Sequence, residues 1–396
     1  MALPHPQDAF EQLAHRLSAV GVETVVLREA IGRILAENVL ANRDSPPFDC
    51  SNMDGFAVRL SDVTNAALPV QSEARIGQAS PVLQAHTAVR VSTGSPIPID
   101  ADAVIPIENV TEQDGRIKLT PGAETRIGDN IRRRGENAAA GSVVAKSGAM
   151  ISAPMIAAMA AFGKSAVEVH RVLRVAVITT GDELPSAGEL LTPWRIADSN
   201  SPALCAAIAH VPWLALESVS QVADEKQSIT KTLAAALEMA DVVLTTGGVS
   251  KGHRDFMPDA VRSVTAEIIF HRLPIKPGGP VLGALAGGKA LFGLPGNPVS
   301  VLVLWRRFVL PCLAHYAGCK QNIAAKHQVE LTEPLNKPHE KWNYRLVRIV
   351  GFGQAELIRY AGSGDIPAAA ASDGFVEVPP NVLGRGPFPF VSWSIA

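Results

Sequence analysis

The spacing of apolar positions changes several times along this chain, and each change predicts a different kind of element. Over residues 7–20, Phe10, Leu13, Leu17 and Val20 recur at helical intervals, which predicts one amphipathic helix. Residues 22–27 turn strand-like, and residues 28–37 read as a second, short helix. From Asp44 the texture changes. The stretch SPPFDCSNMDGFAVR is crowded with Pro, Asp, Asn and Gly, too polar and broken for a core element, and a long irregular loop inside a compact domain is usually a functional one. Short strand-like runs follow near Val70 and over 89–91, 103–107, 117–119 and 142–144, separated by Gly and Pro, the signature of a small β domain. Ser152, Ala153 and Pro154 then open a helix, MIAAMAAFG, which Gly163 would cap.

From Val172 to about Gly318 the pattern reads strand, loop, helix, strand, helix, strand, loop, helix, strand, strand, helix. Such alternation predicts a largely parallel sheet covered on both faces. The helix at 202–210 follows Asp198, Ser199 and Asn200, good capping residues, and the N–H groups of its first turn offer a seat for an anion. Residues 224–239 and 299–316 predict two more helices, the last entered through GLPGNP. Beyond Cys319 the helical period is lost. QVEL, YRLVRIVGF, QAELIRY, GFVEV and FPFVSWS read as short strands of a separate small β domain. No repeat of 20–50 residues, heptad or low-complexity tract is visible.

Composition narrows the classes of function. A chain of 396 residues, 47% hydrophobic with 5% aromatic residues, has ample core material for roughly two to three domains of about 150 residues each. A net charge of -2 lacks the basic footprint of a nucleic-acid binder. The first residues carry neither a basic region nor an apolar one, so a cleaved secretion signal is not expected and the expected location is cytoplasmic. The most apolar segment, 299–313, is interrupted by Arg306, Arg307 and Pro311. It falls short of the ~18 uncharged residues of a membrane span and reads as a buried helix. Cys50, Cys205, Cys312 and Cys319 show no CxxC spacing and read as packing residues, with Cys312 and Cys319 about two turns apart on one helix face.

The chemistry concentrates at strand ends. Residues 241–255, DVVLTTGGVSKGHRD, form an apolar strand that breaks into Thr-Thr-Gly-Gly and ends in an acid, and a second copy, RVAVITTGDE, lies at 174–183. In an open parallel sheet the ligand crevice lies beyond the carboxyl ends of the strands, and paired glycines let backbone N–H groups approach an anion. A plain structural turn is the alternative for either copy alone; the repetition favours one site built from both. Glu183 and Asp255 would sit at the crevice mouth, where carboxylates can hold Mg²⁺ beside substrate phosphates. Asp182 serves equally well as a turn former, and Asp241 reads as a solvated strand-start residue. IKPGGP at 275–280 and GLPGNPVS at 293–300 flank a hairpin-like pair of strands. Arg272 and Lys276 add cations that suit an oxyanion. Asn297-Pro298 begins a helix well, a capping role compatible with anion binding. The run Arg132, Arg133, Arg134 reads as a solvated face, although guanidinium groups also suit oxyanions. His253-Arg254-Asp255 spells a kinase triplet without the accompanying kinase motifs, Gly163-Lys164-Ser165 lacks the first P-loop glycine because Ala158 stands there, and the histidines show no paired metal spacing.

Seven ordered motifs carry a resemblance: PPFDCSNMDGFAVR at 46–59, VSTGSPIPIDADAVIPIENV at 91–110, IRRRGEN at 131–137, TTGDEL at 179–184, TTGGVSKGHRDF at 245–256, IKPGGP and GLPGNPVS. Together they resemble the molybdopterin molybdenumtransferase family, of the MoeA and gephyrin E-domain type, along almost the whole chain. The resemblance implies a multidomain α/β plus β protein. Residues 1–44 with 141–170 would form a helical N-terminal and linker domain, 45–140 a β-rich insertion, 171–320 a three-layer α/β molybdopterin-binding domain, and 321–396 a C-terminal β barrel. It also implies a homodimer whose cleft lies between the α/β domain of one subunit and the insertion of the other. The implied reaction joins molybdate to adenylylated molybdopterin, releases AMP and yields molybdenum cofactor with the help of Mg²⁺.

Site roles follow from the resemblance. Asp54, Thr93, Glu183 and Asp255 would be catalytic, with Glu183 and Asp255 on the metal and Asp54 and Thr93 reaching in from the partner subunit. Thr246, Gly247, Gly248, Val249 and Ser250 would cradle the pterin and its phosphate together with Pro295, Gly296, Asn297 and Pro298. Thr180, Gly181, Asp182, Ser199, Asn200, Asp224, Gly278 and Ser363 would complete the substrate surface, and Arg272, Lys276 and Arg134 would balance phosphate and molybdate charge. Transient contact with the molybdopterin adenylyltransferase and with cofactor-accepting proteins is implied; nucleic acid and membrane are not. Two departures stand out. The family usually reads KPGKP, whereas Gly279 lacks the cation, and it often reads Gly-Glu-x-Asp where this chain has Gly252, His253, Arg254 and Asp255. A non-catalytic carrier or scaffold for the pterin is the competing class, discriminated by loss of the acids, which are all present here. A tungstate-preferring enzyme stays open, and a generic nucleotide-binding α/β enzyme leaves the Asp54 and Thr93 motifs unexplained.

Overall fold

A computed structural model describes residues 5–185, 192–249, 255–321, 323 and 327–394. The chain divides into two compact units, one of residues 38–146 with 157–164, the other of residues 1–37, 147–156 and 165–396. The first is a β unit. Its main sheet runs in the order Ala103–Pro106, Gly55–Val58, Ala88–Val91, Leu68–Ala74, Arg116–Leu119, Val110–Gln113. Phe56, Val58 and Ile105 fill one apolar cluster and Ala57, Val89 and Val104 another, so neighbouring residues of one strand face opposite ways, as a pleat requires.

The other unit is built on a six-stranded sheet. Its strands are β1 (Leu173–Thr180), β2 (Leu214–Val222), β3 (Val242–Thr246), β4 (Glu267–His271), β5 (Leu282–Ala286) and β6 (Lys289–Leu294), in the spatial order β2-β1-β3-β6-β5-β4. β2, β1, β3 and β6 are mutually parallel, and β5 is antiparallel to both β6 and β4. Val175, Val177 and Leu244 pack on one face with Leu204 and Ile208 of α1 (Asn200–Ala209). Ala176, Ile178 and Val243 pack on the other with Ile229 and Leu233 of α2 (Lys226–Met239) and Val261 of α3 (Met257–Ser263). Central strands buried on both faces must be apolar throughout, and all five residues of β3 are buried, whereas β2 at the edge alternates with exposed positions.

The long apolar helix begins as α4 (Pro298–Leu304), passes through a π-helical turn at Trp305–Val309 and ends at Leu310–Tyr316. By length and composition it could cross a membrane, but 83% of it is buried inside the protein. Phe308 meets Phe10 of the N-terminal helix Pro6–Ala14 at 4.9 Å and Tyr344 of the C-terminal sheet at 5.7 Å. Arg307 is tolerated here because Glu377 accepts from its Nε at 2.8 Å. The C-terminal sheet closes on itself. Strand Trp342–Gly351 pairs with both Gln354–Leu357 and Gly374–Val378, and the ring returns through Phe388–Ser392 and His327–Leu331. This is a five-stranded barrel, with Ile275–Lys276 added parallel to Trp342 and Asn343.

Several sequence expectations are corrected. The first helix stops at Ala14, so Leu17 and Val20 are buried beyond its end. Residues 28–37 are not a helix: only a 3-10 turn at Leu27–Glu29 forms, Gly32 sits at φ +72, and Ile34 and Leu35 bridge to Met150 and Val169. β4 was not expected. Asp241 is not solvated but 4% exposed, with the Arg171 fork donating to it at 2.7 and 2.8 Å.

Candidate functional site

Three parallel strand ends lie side by side. Thr179 of β1 pairs with Thr246 of β3, which pairs with Leu294 of β6, so the two Thr-Thr-Gly turns and the GLPGNP loop leave the sheet together. The turns interlock. Gly247 and Gly248 hold φ of +93 and +66, and a Cβ on Gly247 would stand 2.6 Å from the Thr180 carbonyl oxygen. Only glycine meets both conditions. The Gly247 amide donates to Leu294 O at 3.0 Å, and Asn200 Nδ2 donates to Gly296 O at 2.7 Å. The Val299 amide donates to Ser363 O at 3.0 Å, which ties the start of α4 to the loop before the last short helix.

These loops border a cavity of about 180 Å³ lined by Gly248, Val249, Asp255, Gly278, Pro280, Pro295, Gly296, Asn297, Ser300 and Ser363. Thr179, Thr180 and Thr246 Oγ1, Asn200 Oδ1 and Asp224 Oδ1 are all buried without a hydrogen-bond partner among the described residues. An unsatisfied buried polar atom costs about 1–3 kcal/mol, so their concentration at one sheet edge points to groups a ligand or water satisfies. Larger cavities of about 470 and 540 Å³ lie elsewhere, but neither touches these strand ends.

The acids fall in two places. Asp255 lines the cavity. At the end of β1, Asp182 Oδ1 accepts from the Asp224 amide at 3.2 Å, and Glu183 folds back so that a Cβ on Gly181 would meet its carboxylate at 2.8 Å. Burial pushes the Asp224 carboxyl above the usual range; the Thr180 hydroxyl opposes this without reaching hydrogen-bond geometry, and the charges of Asp182 and Glu183 add to it. Among the described residues no three His, Cys, Asp or Glu side chains converge to hold a metal unaided. One or two carboxylates completed by substrate phosphate is nonetheless an ordinary Mg²⁺ arrangement, and the oxygen donors here suit it.

The remaining expected site residues are spread more widely. Ser199 is the N-cap of α1 but makes no side-chain cap bond. Asp198 takes that role, accepting from the Asn200 and Ser201 amides at 2.9 and 3.1 Å, so this helix start already holds a carboxylate and is not an open anion seat. Arg272 lies in the left-handed region at φ +69, Lys276 is exposed before a cis proline, and neither lines the cavity. Pro298 begins α4 next to the cavity-lining Asn297. Ser250, His253 and Arg254 lie outside the described residues. In the β unit Asp54 and Thr93 meet: the Thr93 amide and hydroxyl donate to Asp54 Oδ1 at 2.6 and 3.0 Å and hold its carboxyl below the usual range. Arg134 is engaged by Asp44, which accepts from its Nε at 2.6 Å. Pro280 and Ser300 line the cavity without having been singled out; as the closing residues of IKPGGP and GLPGNPVS, they stood within quoted motifs.

A barrel, a β unit and a doubly covered sheet with a cavity beyond its strand ends define a multidomain α/β plus β protein with a ligand crevice at its strand ends. Residues 5–163 match the family described as the MoeA N-terminal region (domain I and II), and residues 176–315 match the probable molybdopterin binding domain. The molybdopterin molybdenumtransferase of Staphylococcus aureus (strain Mu50) is 33% identical over 338 residues, covering 84% of this chain and 80% of that protein, and that of Staphylococcus epidermidis (strain ATCC 12228) matches to the same extent. The crystal structure of the molybdopterin biosynthesis MoeA protein from Pyrococcus horikoshii superposes with a TM-score of 0.82 at 29% identity, over 99% of this chain and 100% of that one. The chain belongs to the molybdopterin molybdenumtransferase family, transferases of molybdenum cofactor biosynthesis.

Proposed function

We propose that the chain inserts molybdate into adenylylated molybdopterin, releasing AMP and forming molybdenum cofactor. The observation that carries this reading is the cavity at the ends of β3 and β6, where turn backbone, Asp255 and the neighbourhood of Ser300 and Ser363 converge. Backbone amides at Gly248 and Gly296 and at the first turn of α4 would bind phosphate oxygens, as helix starts and glycine turns do. The hydroxyls of Ser300 and Ser363 would donate to molybdate. Thr180, Thr246 and Asn200 would satisfy their buried polar atoms on the pterin side of the ligand. Glu183 and Asp255 would hold Mg²⁺, which when bound neutralises charge on the pyrophosphate. Arg272 and Lys276 would add positive potential to the same region. Asp54, kept ionised by Thr93, would complete the site from the partner subunit of a homodimer, and Arg134 would contribute from the same β unit.

The test is Asp255→Ala supplied with adenylylated molybdopterin, Mg²⁺ and molybdate or tungstate. The variant is expected to keep the wild-type unfolding temperature and to lose oxyanion-dependent AMP release by at least about a hundredfold, the loss typical of removing a preorganised electrostatic group. Full activity would sink the proposal, and binding of the pterin without AMP release from the wild-type protein would favour a carrier instead.

A further inference from the structure

The arginine run of the β unit is held by carboxylates. Arg132 pairs with Cys50 and Ile131 with Ser51 in a short antiparallel ladder, and the chain then turns at Gly135, whose φ is +77. The turn is tied to the loop that precedes Cys50: the Gly135 amide donates to Pro46 O at 3.0 Å and the Asn137 amide to Ser45 O at 2.8 Å. Asp49 Oδ2 accepts from Arg133 Nη1 at 2.7 Å and its Oδ1 from the Arg134 amide at 2.8 Å. Asp44 Oδ1 accepts from the Ala140 amide at 2.8 Å and its Oδ2 from Arg134 Nε at 2.6 Å. Arg134 is thus fixed twice, at its backbone by one acid and at its guanidinium by the other. Burial raises the Asp49 carboxyl, but the Arg134 amide and the Arg133 guanidinium outweigh it, and the Ala140 amide and then Arg134 hold the Asp44 carboxyl below the usual range as well.

The pairing of Asp44 with Arg134 is one-sided. A carboxylate facing arginine commonly takes two N–H groups in parallel, whereas here one Asp44 oxygen serves Ala140 and the other meets Nε. Neither Nη group is bonded among the described residues. The Arg134 side chain is 67% exposed and that of Asp44 19%, so the acid is the fixed member and the end of the fork stands open. Net charge does not account for this arrangement, because Arg132, Arg133 and Arg134 stand beside Asp44, Asp49 and Glu136 and their charges cancel. What remains to offer an anion is direction. A planar fork ordered in advance loses less freedom on binding than a free side chain does, and its paired N–H groups match two oxygens of one phosphate.

We propose that Asp44 is a positioning residue, a role that rests on the reaction proposed above: it holds Arg134 by Nε so that the Nη groups meet an oxyanion of the adenylylated pterin. Asp44 itself touches no substrate and acts only through Arg134.

The experiment is a double-mutant cycle on the full chain, with Asp44→Ala, Arg134→Ala and both together, read as kcat and KM for adenylylated molybdopterin in AMP release dependent on molybdate and Mg²⁺. Arg134→Ala is expected to raise KM about tenfold or more, as loss of a hydrogen bond to a charged group implies. Asp44→Ala keeps the cation but frees it, and is expected to raise KM about threefold to tenfold, the cost of ordering one long side chain. The double variant should match Arg134→Ala alone, because Asp44 then has nothing to hold. In all three kcat should stay within about twofold, since a contact made equally in ground and transition states acts on KM. An acid that only supports the loop would instead lower kcat by reducing the active fraction, and its loss would add to that of Arg134→Ala. If Asp44→Ala does not fold, Asp44→Asn takes its place in the cycle, its oxygen accepting from Ala140 while its amide nitrogen faces Arg134 Nε. Additive losses, a fall in kcat alone, or an unchanged or lower KM in either single variant would overturn the proposal. Absence of AMP release from the wild-type chain would sink the proposed reaction, and this role with it.

Discussion

At Gly247, in the turn that borders the strand-end cavity, two demands coincide. Its φ of +93 already disfavours any side chain, and a Cβ would press on the Thr180 carbonyl at 2.6 Å. Gly287 separates the two effects, since it has φ +57 with nothing within 4 Å of its Cβ position. Gly287→Ala is therefore expected to cost only about 1 kcal/mol from backbone preference, with activity unchanged. Gly247→Ala is expected to cost about 2–3 kcal/mol and to abolish AMP release, because the two interlocked turns must part. Urea melts and the insertion assay on both variants check this, and equal costs would mean that the contact with Thr180 is irrelevant. The importance of this turn was legible because glycine pairs after a buried strand have few other uses. The Asp198 cap was not, since Asp198, Ser199 and Asn200 are all good capping residues and only the folded chain decides which one accepts the amides. Pro280 and Ser300 were hidden for a related reason: motif edges are read as punctuation until the fold turns them inward.

At the level of elements, β3 shows how a polar residue can anchor an apolar strand. Asp241 precedes Val242 and accepts from the Arg171 fork and from the Arg174 amide at 2.9 Å. Burial pulls its carboxyl pKa upward, but these donors and the two arginine charges outweigh that and leave it below the ordinary value of 3.8. A depressed folded pKa contributes stability that is fully present above the unfolded pKa and is lost as pH falls through the folded one. Asp241→Asn is thus expected to lower stability at neutral pH by about 2 kcal/mol, less than a fully buried pair would lose, because Arg171 is 37% exposed. The gap from wild type should close as pH falls below 3.8; a gap independent of pH in denaturant titrations would show that packing rather than charge anchors the strand. The central strands were legible because burial on both faces forces continuous apolar runs. Residues 28–37 misled for the opposite reason. Their apolar spacing imitates a helix, yet Ile34 and Leu35 are held by Met150 and Val169 from far along the chain, and no local pattern records such partners. β4 was missed because an edge strand with a register shift pairs only with β5 and carries little alternation.

For the whole molecule, pattern alone indicated strands after residue 320 but not that they close, because closure depends on Trp342–Gly351 pairing with two strands separated in sequence. The same non-locality governs the proposed catalytic assembly. Asp255 lines the strand-end cavity, whereas Asp54 and Thr93 belong to the other compact unit, and the proposed homodimer would bring the acids of two subunits to one site. That arrangement has a consequence no single-chain site shares. Asp54→Ala and Asp255→Ala homodimers should each be inactive, since every site lacks one acid. In a mixed dimer one site carries both lesions and the other carries neither, so co-expression restores one site of two. With random pairing about half the dimers are mixed, and the recovered AMP release should approach one quarter of wild type, as closed twofold symmetry dictates. Differentially tagged subunits allow the mixed dimer to be purified, where recovery should rise to about one half by the same symmetry. Recovery in neither preparation, with both single variants dimeric and folded, would place Asp54 and Asp255 in a site within one subunit and remove the partner from the mechanism.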